Sequence, residues 1–241
     1  MPDTRLPSVR TLLWLTALLW AVALAWDATG RDLAVMQRLG DAQGFALRDA
    51  PLWRHWGHDV AQQLARVMLA LLWLAALLPW TVPRTRARVW GRQALQAALG
   101  ATLALLLIGW LKHRSLTSCP WDLELFGGTA RYVSHWQWGM PDGGGARCFP
   151  GGHVASAAIF WSLALVPRSP RARRALWLLV ALLALAFGAV QTLRGAHYPS
   201  HTLWTMALAW TVVVAHHAAW RRWVRAHALG VAQTSTSTAS P

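Results

Sequence analysis

Long apolar blocks separated by short polar segments dominate this chain of 241 residues. Most of the six blocks approach the ~20 residues that a helix needs to cross the hydrocarbon layer of a membrane. They cover about 11–29, 61–82, 93–111, 153–167, 173–191 and 201–220. A backbone inside a bilayer must satisfy its own hydrogen bonds, so each block is expected to be helical. The pattern predicts an all-α, polytopic membrane protein with six transmembrane helices in a bundle.

Arginine and lysine are distributed unevenly between the two sides of this bundle. The termini and the segments after the second and fourth blocks hold 13 of the 23 basic residues but one of the nine acidic residues. Basic loops stay in the cytoplasm, which predicts cytoplasmic termini in a bacterial-type inner (plasma) membrane. Segment 1–29 also resembles a signal peptide, but its long apolar stretch favours an uncleaved first span. We expect one membrane domain over 1–230 and a disordered cytoplasmic tail at 231–241.

Composition supports a membrane partner and argues against nucleic acid. The chain is 55% hydrophobic and 13% charged, whereas soluble domains carry ~25% charged residues. The net charge of +14 comes from arginines in short clusters between apolar blocks. No base-stacking or groove-reading module is apparent in the sequence. Nothing in the pattern indicates an oligomeric state.

The loops on the predicted extracytoplasmic side carry residues suited to phosphate chemistry. They are Lys112, Arg114, Gly151, Gly152, His153, Arg194, His197 and His201. Two glycines before an apolar helix let the backbone approach an anion, because the free N–H groups and the dipole of a helix start favour phosphate. Basic side chains at the same depth would neutralise that phosphate. The histidines supply groups that exchange protons or attack phosphorus near neutral pH.

Three motifs give the chain a resemblance to the type 2 phosphatidic acid phosphatase family over about 95–220. The family pattern is Lys-x6-Arg-Pro, Pro-Ser-Gly-His and Ser-Arg-x5-His-x3-Asp. In this chain Lys112 precedes Cys119-Pro120, the second motif is Pro150-Gly151-Gly152-His153, and His197 precedes His201. The resemblance implies metal-independent hydrolysis of a lipid phosphate ester or pyrophosphate, without a cofactor.

The resemblance also implies a role for each matching residue. His197 would attack phosphorus and form a phosphohistidine, His153 would protonate the leaving oxygen, and Lys112 would hold the phosphate. His201, which replaces the family's aspartate, would accept the His197 N–H. Gln191 stands where the third-motif arginine is expected, and Arg194, about one helical turn later, is the candidate replacement.

Three other functions stay open. A phosphotransferase would share the phosphohistidine and differ in the acceptor, and a catalytically weakened member would bind or transport lipid. A zinc site on His197 and His201 has suitable i, i+4 spacing. However, Pro199 is expected to begin the sixth helix, which would place His197 before it and spoil that geometry. The substrate is equally open among a phospholipid, a polyprenyl phosphate or pyrophosphate, and a lipid A phosphate.

Cys119 and Cys148 are the two cysteines of the chain, and both lie in the loop after the third block. Topology puts this loop on the oxidising side of the membrane, so we predict a disulfide between them. The bridge would tie the Lys112 end of the loop to the glycine pair. The alternative is two unrelated buried thiols.

Overall fold

The computed structural model describes residues 7–81, 85–166 and 169–237, and most of them are helical. Within these ranges eight α-helices follow one another. They are α1 (Val9–Ala28), α2 (Asp32–Leu39), α3 (Ala61–Leu77), α4 (Thr85–Arg114), α5 (Gly152–Ala158), α6 (Trp161–Ala164), α7 (Pro170–Leu193) and α8 (Pro199–Ser237). The shorter elements are a π-helix at Leu52–Val60, 3₁₀ turns at Leu78–Trp80, Pro120–Asp122 and Glu124–Phe126, and an antiparallel hairpin of β1 (Gly40–Asp41) and β2 (Gly44–Phe45).

The predicted all-α architecture is confirmed, and the described part of each apolar block is largely helical. Among the described residues, four helical stretches are long and apolar enough to cross a membrane: α1, α3 with its 3₁₀ extension, α4 from Val89, and α7. The fourth predicted block is shorter, since α5 and α6 together cover Gly152–Ala164. The sixth block lies within α8. The number of six membrane spans therefore stays a prediction.

The helices pack around a core of small and aromatic side chains contributed by α1 and by α4 through α8. On α4, Ala101, Ala104 and Ile108 recur at helical spacing and are buried. Small residues let neighbouring helices approach closely, and Trp161 and Trp210 fill the remaining space. The outward leucines of α7 are exposed, as expected for a lipid-facing surface.

Two long connections, 29–60 between α1 and α3 and 115–151 between α4 and α5, are called here the first and second outer loops of the helix bundle. A second hydrophobic cluster joins these outer loops to the turn between α7 and α8. Its members include Met36 of α2, Phe45 of the hairpin, Phe126 of the loop after α4, and Tyr198 of the turn. The rings of Phe45 and Phe126 have centroids 4.7 Å apart. Phe45 also packs so closely on Gly195 that a Cβ there would overlap its ring. The outer loops therefore pack directly on the turn that precedes α8.

The last helix is longer than predicted. α8 continues to Ser237, past the predicted domain end at 230. Alanine and leucine after Arg225 favour helix, and each added residue gains one more backbone hydrogen bond. Residues 238–241 of the predicted disordered tail lie outside the described residues.

Candidate active site

Three segments that are far apart in sequence meet at the ends of α4, α5 and α8. Lys112 lies in the last turn of α4, and a methyl group placed on Gly152 would lie 4.0 Å from its Cδ. A methyl group placed on Gly151 would lie 3.7 Å from Cδ2 of His197 and 3.5 Å from Oγ1 of Thr205. Lys112, the two glycines and His197 therefore line one site.

The glycine pair begins α5. Gly151 is the N-cap residue with an extended backbone, and Gly152 is the first helical residue. The N–H of Gly151 donates to Thr205 Oγ1 at 2.8 Å, which ties the start of α5 to α8. His153, the next residue, is buried. The first N–H groups of a helix lack intrahelical acceptors, so the start of α5 is suited to binding an anion.

The turn between α7 and α8 holds His197 in place through its backbone. Gly195 has a φ of 75°, the left-handed conformation that commonly follows the end of a helix. The N–H groups of Ala196 and His197 then donate to the carbonyl of Gln191, at 2.8 and 3.3 Å. As predicted, α8 begins at Pro199. Proline is favoured at the first helical position because an N–H there would have no intrahelical acceptor, so its absence costs nothing.

Asp32 of α2 caps the first turn of α8. Its carboxylate accepts the N–H of Ser200 at 3.1 Å, the hydroxyl of Ser200, and the indole N–H of Trp26 at 2.7 Å. Asp32 is buried. A negative charge is favourable at a helix N-terminus, so Asp32 secures the position of α8 and of His201 within it.

His197 and His201 are buried and lie in contact, with their Nδ1 atoms 3.4 Å apart. As predicted, His197 lies before the first residue of α8; the turn nevertheless brings its imidazole into contact with that of His201. The predicted disulfide between Cys119 and Cys148 is present. The sulfur of Cys148 lies 3.4 Å from the same Nδ1 of His197. Cysteine binds metals as a thiolate, and the two bridged sulfurs are not thiolates.

Comparison with known families identifies the architecture around this site. The family model of the PAP2 superfamily matches residues 93–225. The chain belongs to the PAP2 superfamily. The matched segment contains the three motifs from Lys112 to His201, and superfamily members are phosphatases, which supports hydrolysis of phosphoric esters. Comparisons with curated proteins and with solved structures found no match.

Arg194 of this PAP2 chain is directed toward the first outer loop. Its Nε–H donates to the carbonyl of Arg48 at 3.0 Å, and its Nη1 donates to Oε1 of Gln191 at 3.3 Å. Its guanidinium carbon lies 6.0 Å from the ring centroid of Trp121. Gln191 stands where the resemblance predicts the third-motif arginine, and a hydrogen bond joins it to Arg194 one turn later. Those bonds use two of the five guanidinium N–H donors and fasten the end of α7 to the loop.

Arg114 lies at the exposed rim of the site. Its guanidinium carbon is 5.8 Å from the ring centroid of Trp110, which is 56% exposed. Tryptophan and arginine together at a helix end are typical of the boundary between membrane and water. The structure therefore brings Lys112, rather than Arg114, against the glycine pair.

His135 and Asp27 pack behind His201, although neither belongs to a motif that the sequence displays. The His135 ring is stacked on Phe149 with centroids 4.6 Å apart, and it lies 5.9 Å from the His201 ring. Its Nε2 is 3.2 Å from Oδ2 of Asp27, and the same oxygen accepts the indole N–H of Trp204 at 2.5 Å. One signal was available: Asp27 is an acidic residue inside the first apolar block, where ionisable residues are rare.

Asp27, Asp32 and His135 offer ligand atoms that all lie within 4.8 Å of one another. Both carboxylates, however, already accept indole N–H groups, from Trp204 and Trp26 respectively. Donors that point at a carboxylate oxygen occupy the position that a cation would take. These residues therefore form a hydrogen-bonded network that joins α1, α2 and α8.

Proposed function

We propose that this PAP2-superfamily protein is an integral-membrane phosphatase that removes phosphate monoester or pyrophosphate groups from lipids. In this proposal the reaction proceeds at the extracytoplasmic face, through a phosphohistidine and without a metal. The observation that carries it is the meeting of Lys112, Gly151, Gly152 and His197 at one end of the helix bundle. Together they offer a cation, an unobstructed backbone and an imidazole, which are groups that phosphoryl transfer uses.

His197 supplies the nucleophile through Nε2. Its Nδ1 faces the Cys148 sulfur and the His201 ring. Cδ2, the carbon bonded to Nε2, is the His197 atom that approaches Gly151. Nε2 therefore lies on the side of the glycine pair, where the phosphate would sit. As it attacks phosphorus, an N–P bond forms and the P–O bond to the lipid breaks.

His153 acts as the general acid in this step. The lipid alcohol leaves with the proton of His153; from a pyrophosphate, the leaving group is the lipid monophosphate. Water then attacks the phosphohistidine, gives its proton to His153, and releases inorganic phosphate. Lys112 and the N–H groups of Gly152 and His153 hold the phosphate oxygens throughout.

The depth of the site supports a lipid substrate. Lys112 ends a helix whose stretch Val89–Arg114 is long and apolar enough to cross a membrane. Trp110, just before Lys112, and Trp138, in the loop after α4, are exposed, as is typical of side chains at headgroup level. A phospholipid phosphate, a polyprenyl phosphate or pyrophosphate, or a lipid A phosphate reaches this depth while its chains stay in the bilayer.

A second candidate is lipid binding or transport without turnover. It is favoured by Cys119 and His201, which stand where the family pattern has an arginine and an aspartate. A phosphotransferase of the same fold would use the same first step and hand the phosphoryl group to an acceptor other than water.

The test is phosphate release by purified protein in detergent, with excess EDTA, from phosphatidate, phosphatidylglycerophosphate, a polyprenyl pyrophosphate and lipid A. We expect His197→Ala and His153→Ala to lose activity by orders of magnitude. His113→Ala, which removes an exposed histidine from the same end of α4, should retain it. Mass spectrometry of trapped protein should find phosphate on His197.

Other outcomes separate the candidates. Tight lipid binding with no phosphate release from any substrate would support the transport function. Phosphate that appears on an added alcohol would support a transferase. Full activity of His197→Ala would contradict the mechanism, and loss of activity in EDTA that zinc restores would support a metal site.

A further inference from the structure

We propose that the Cys119–Cys148 disulfide positions the nucleophile, because the Cys148 sulfur determines which nitrogen of His197 carries the proton. The inference rests on the proposed function in that His197 is taken as the nucleophile. The sulfur lies 3.4 Å from Nδ1 of His197 and 2.9 Å from the carbonyl oxygen of Ala196. Cys148 is fully buried, so this contact is shielded from water.

The loop that carries Cys148 holds the sulfur against the turn. The N–H of Cys148 donates to the carbonyl of Thr117 at 2.9 Å, and the N–H of Arg147 donates to the carbonyl of Ser115 at 3.0 Å. This pairing places the segment beside the residues that follow α4. Cys119 belongs to that same stretch and completes the covalent bond. Backbone pairing and the disulfide thus fix the sulfur together.

His201 by itself leaves the protonation pattern of His197 undecided. Between two imidazole nitrogens 3.4 Å apart, either ring could donate, and the other partners of each ring decide which one does. A disulfide sulfur carries no hydrogen and can only accept. The Cys148 contact therefore favours N–H on Nδ1 of His197 and leaves the lone pair on Nε2, beside the glycine pair. In this chain an uncharged sulfur and an imidazole take the place of the family's carboxylate.

A free thiol at position 148 would have the opposite effect. A thiol next to an imidazole readily gives up its proton and forms a thiolate–imidazolium pair. An imidazolium has no lone pair on Nε2, so His197 could no longer attack phosphorus. Other titratable groups lie near His201, the neighbour of His197, and substitutions at 119 or 148 remove none of them. They are Lys112 of α4, His135 of the outer loop and Tyr198 of the turn.

The test compares Cys119→Ser with the double variant Cys119→Ser, Cys148→Ser. Both lack the bridge and lose its bracing equally, and they differ by sulfur against oxygen at position 148. The pH dependence of kcat/KM is measured in detergent, with EDTA to keep metal off the thiol. The acid limb of this profile, where activity falls as His197 becomes protonated, should lie about one pH unit or more higher in Cys119→Ser than in the double variant. The reason is that a thiolate at position 148 stabilises the His197 imidazolium, as an opposite charge within ~4–6 Å does. Identical acid limbs would overturn the proposal.

A second measurement does not depend on phosphatase activity. Alkylation of the Cys148 thiol by iodoacetamide is followed against pH in Cys119→Ser and in Cys119→Ser, His197→Ala. Half-maximal reactivity should come at lower pH in the first protein, because His197 stabilises the thiolate. Equal profiles would overturn the proposal. A wild-type protein that releases no phosphate from any lipid would instead refute the proposed function and leave this measurement valid.

Should Cys119→Ser fail to fold, the wild-type protein provides the comparison before and after reduction with a phosphine. The reduced form carries the thiol beside His197, so its acid limb should move to higher pH. Reduction could also lower the activity and leave the acid limb unmoved. This result would mean that the bridge only braces the loop and has no effect on the protonation of His197, contrary to the proposal.

Discussion

Replacing Asp32 with alanine tests whether a residue outside the three motifs secures the active site. The buried Asp32 carboxylate accepts two hydrogen bonds from Ser200 and one from Trp26. A hydrogen bond to a charged group contributes ~1.5–3 kcal/mol, and bonds that share one carboxylate do not add fully, so we expect a loss of about 3 kcal/mol. For a chain of this size that corresponds to a fall in Tm of about 6–12 °C.

The matched control is Asp41→Ala in the hairpin. Asp41 is exposed and accepts one N–H, from Gln43 at 2.9 Å, so its removal should cost no more than about 0.5 kcal/mol. Thermal unfolding in detergent, followed by tryptophan fluorescence, measures both variants, and phosphate release is assayed below the lower Tm. Asp32→Ala should also lower kcat, because His201 sits in the turn that Asp32 caps.

Equal Tm values for the two alanine variants would refute the reasoning about the cap. A lower Tm for Asp32→Ala with unchanged kcat would retain the cap as a stabilising contact but refute its connection to His201. Asp32→Asn distinguishes charge from shape, since the amide keeps one acceptor oxygen and should fall between the wild type and Asp32→Ala.

The remaining predictions concern Arg194, Asp122 and the topology. Arg194→Ala should lower Tm by several degrees, because the Arg48 carbonyl and Gln191 amide lose a donor. If Arg194 instead bound the substrate phosphate, both Arg194→Ala and Arg194→Lys would raise KM and leave Tm nearly unchanged. Burial raises the pKa of Asp122, so its ionised form is disfavoured in the folded protein and stability falls as pH rises through that pKa. Asp122→Asn should therefore raise Tm at neutral pH but not below the unfolded carboxyl pKa of ~3.9; an equal rise at both pH values would contradict this. A cysteine at position 140 should react with a membrane-impermeant reagent on whole cells, whereas one at 170 should not, and the reverse pattern would invert the predicted topology.

Much of the candidate site could be predicted because its residues stand in motifs of fixed spacing at the ends of apolar blocks. Lys112, the glycine pair and His197 belong to this group, and the structure brings them together. The Cys119–Cys148 bridge was equally predictable from the sequence, because a chain with two cysteines in one loop allows one pairing. The orientation of Arg194 was not predictable in this way, because helical spacing indicates which face a residue occupies, whereas partners on another loop decide where its guanidinium points.

The sequence by itself determined the helices, because an apolar block of sufficient length has no other way to satisfy its backbone in a bilayer. It also determined which motif residues follow one another along the chain. The contacts of His197 with Cys148 and His201, the cap of α8 by Asp32, and the packing of His135 behind His201 were decided by tertiary structure. Apart from the His197–His201 pair, these contacts join residues that are far apart in sequence, and they exist because the outer loops bury Phe45, Phe126 and Tyr198 against the turn before α8. Local patterns encode helices, whereas long-range packing of loops fixes the direction in which the nitrogens of His197 point.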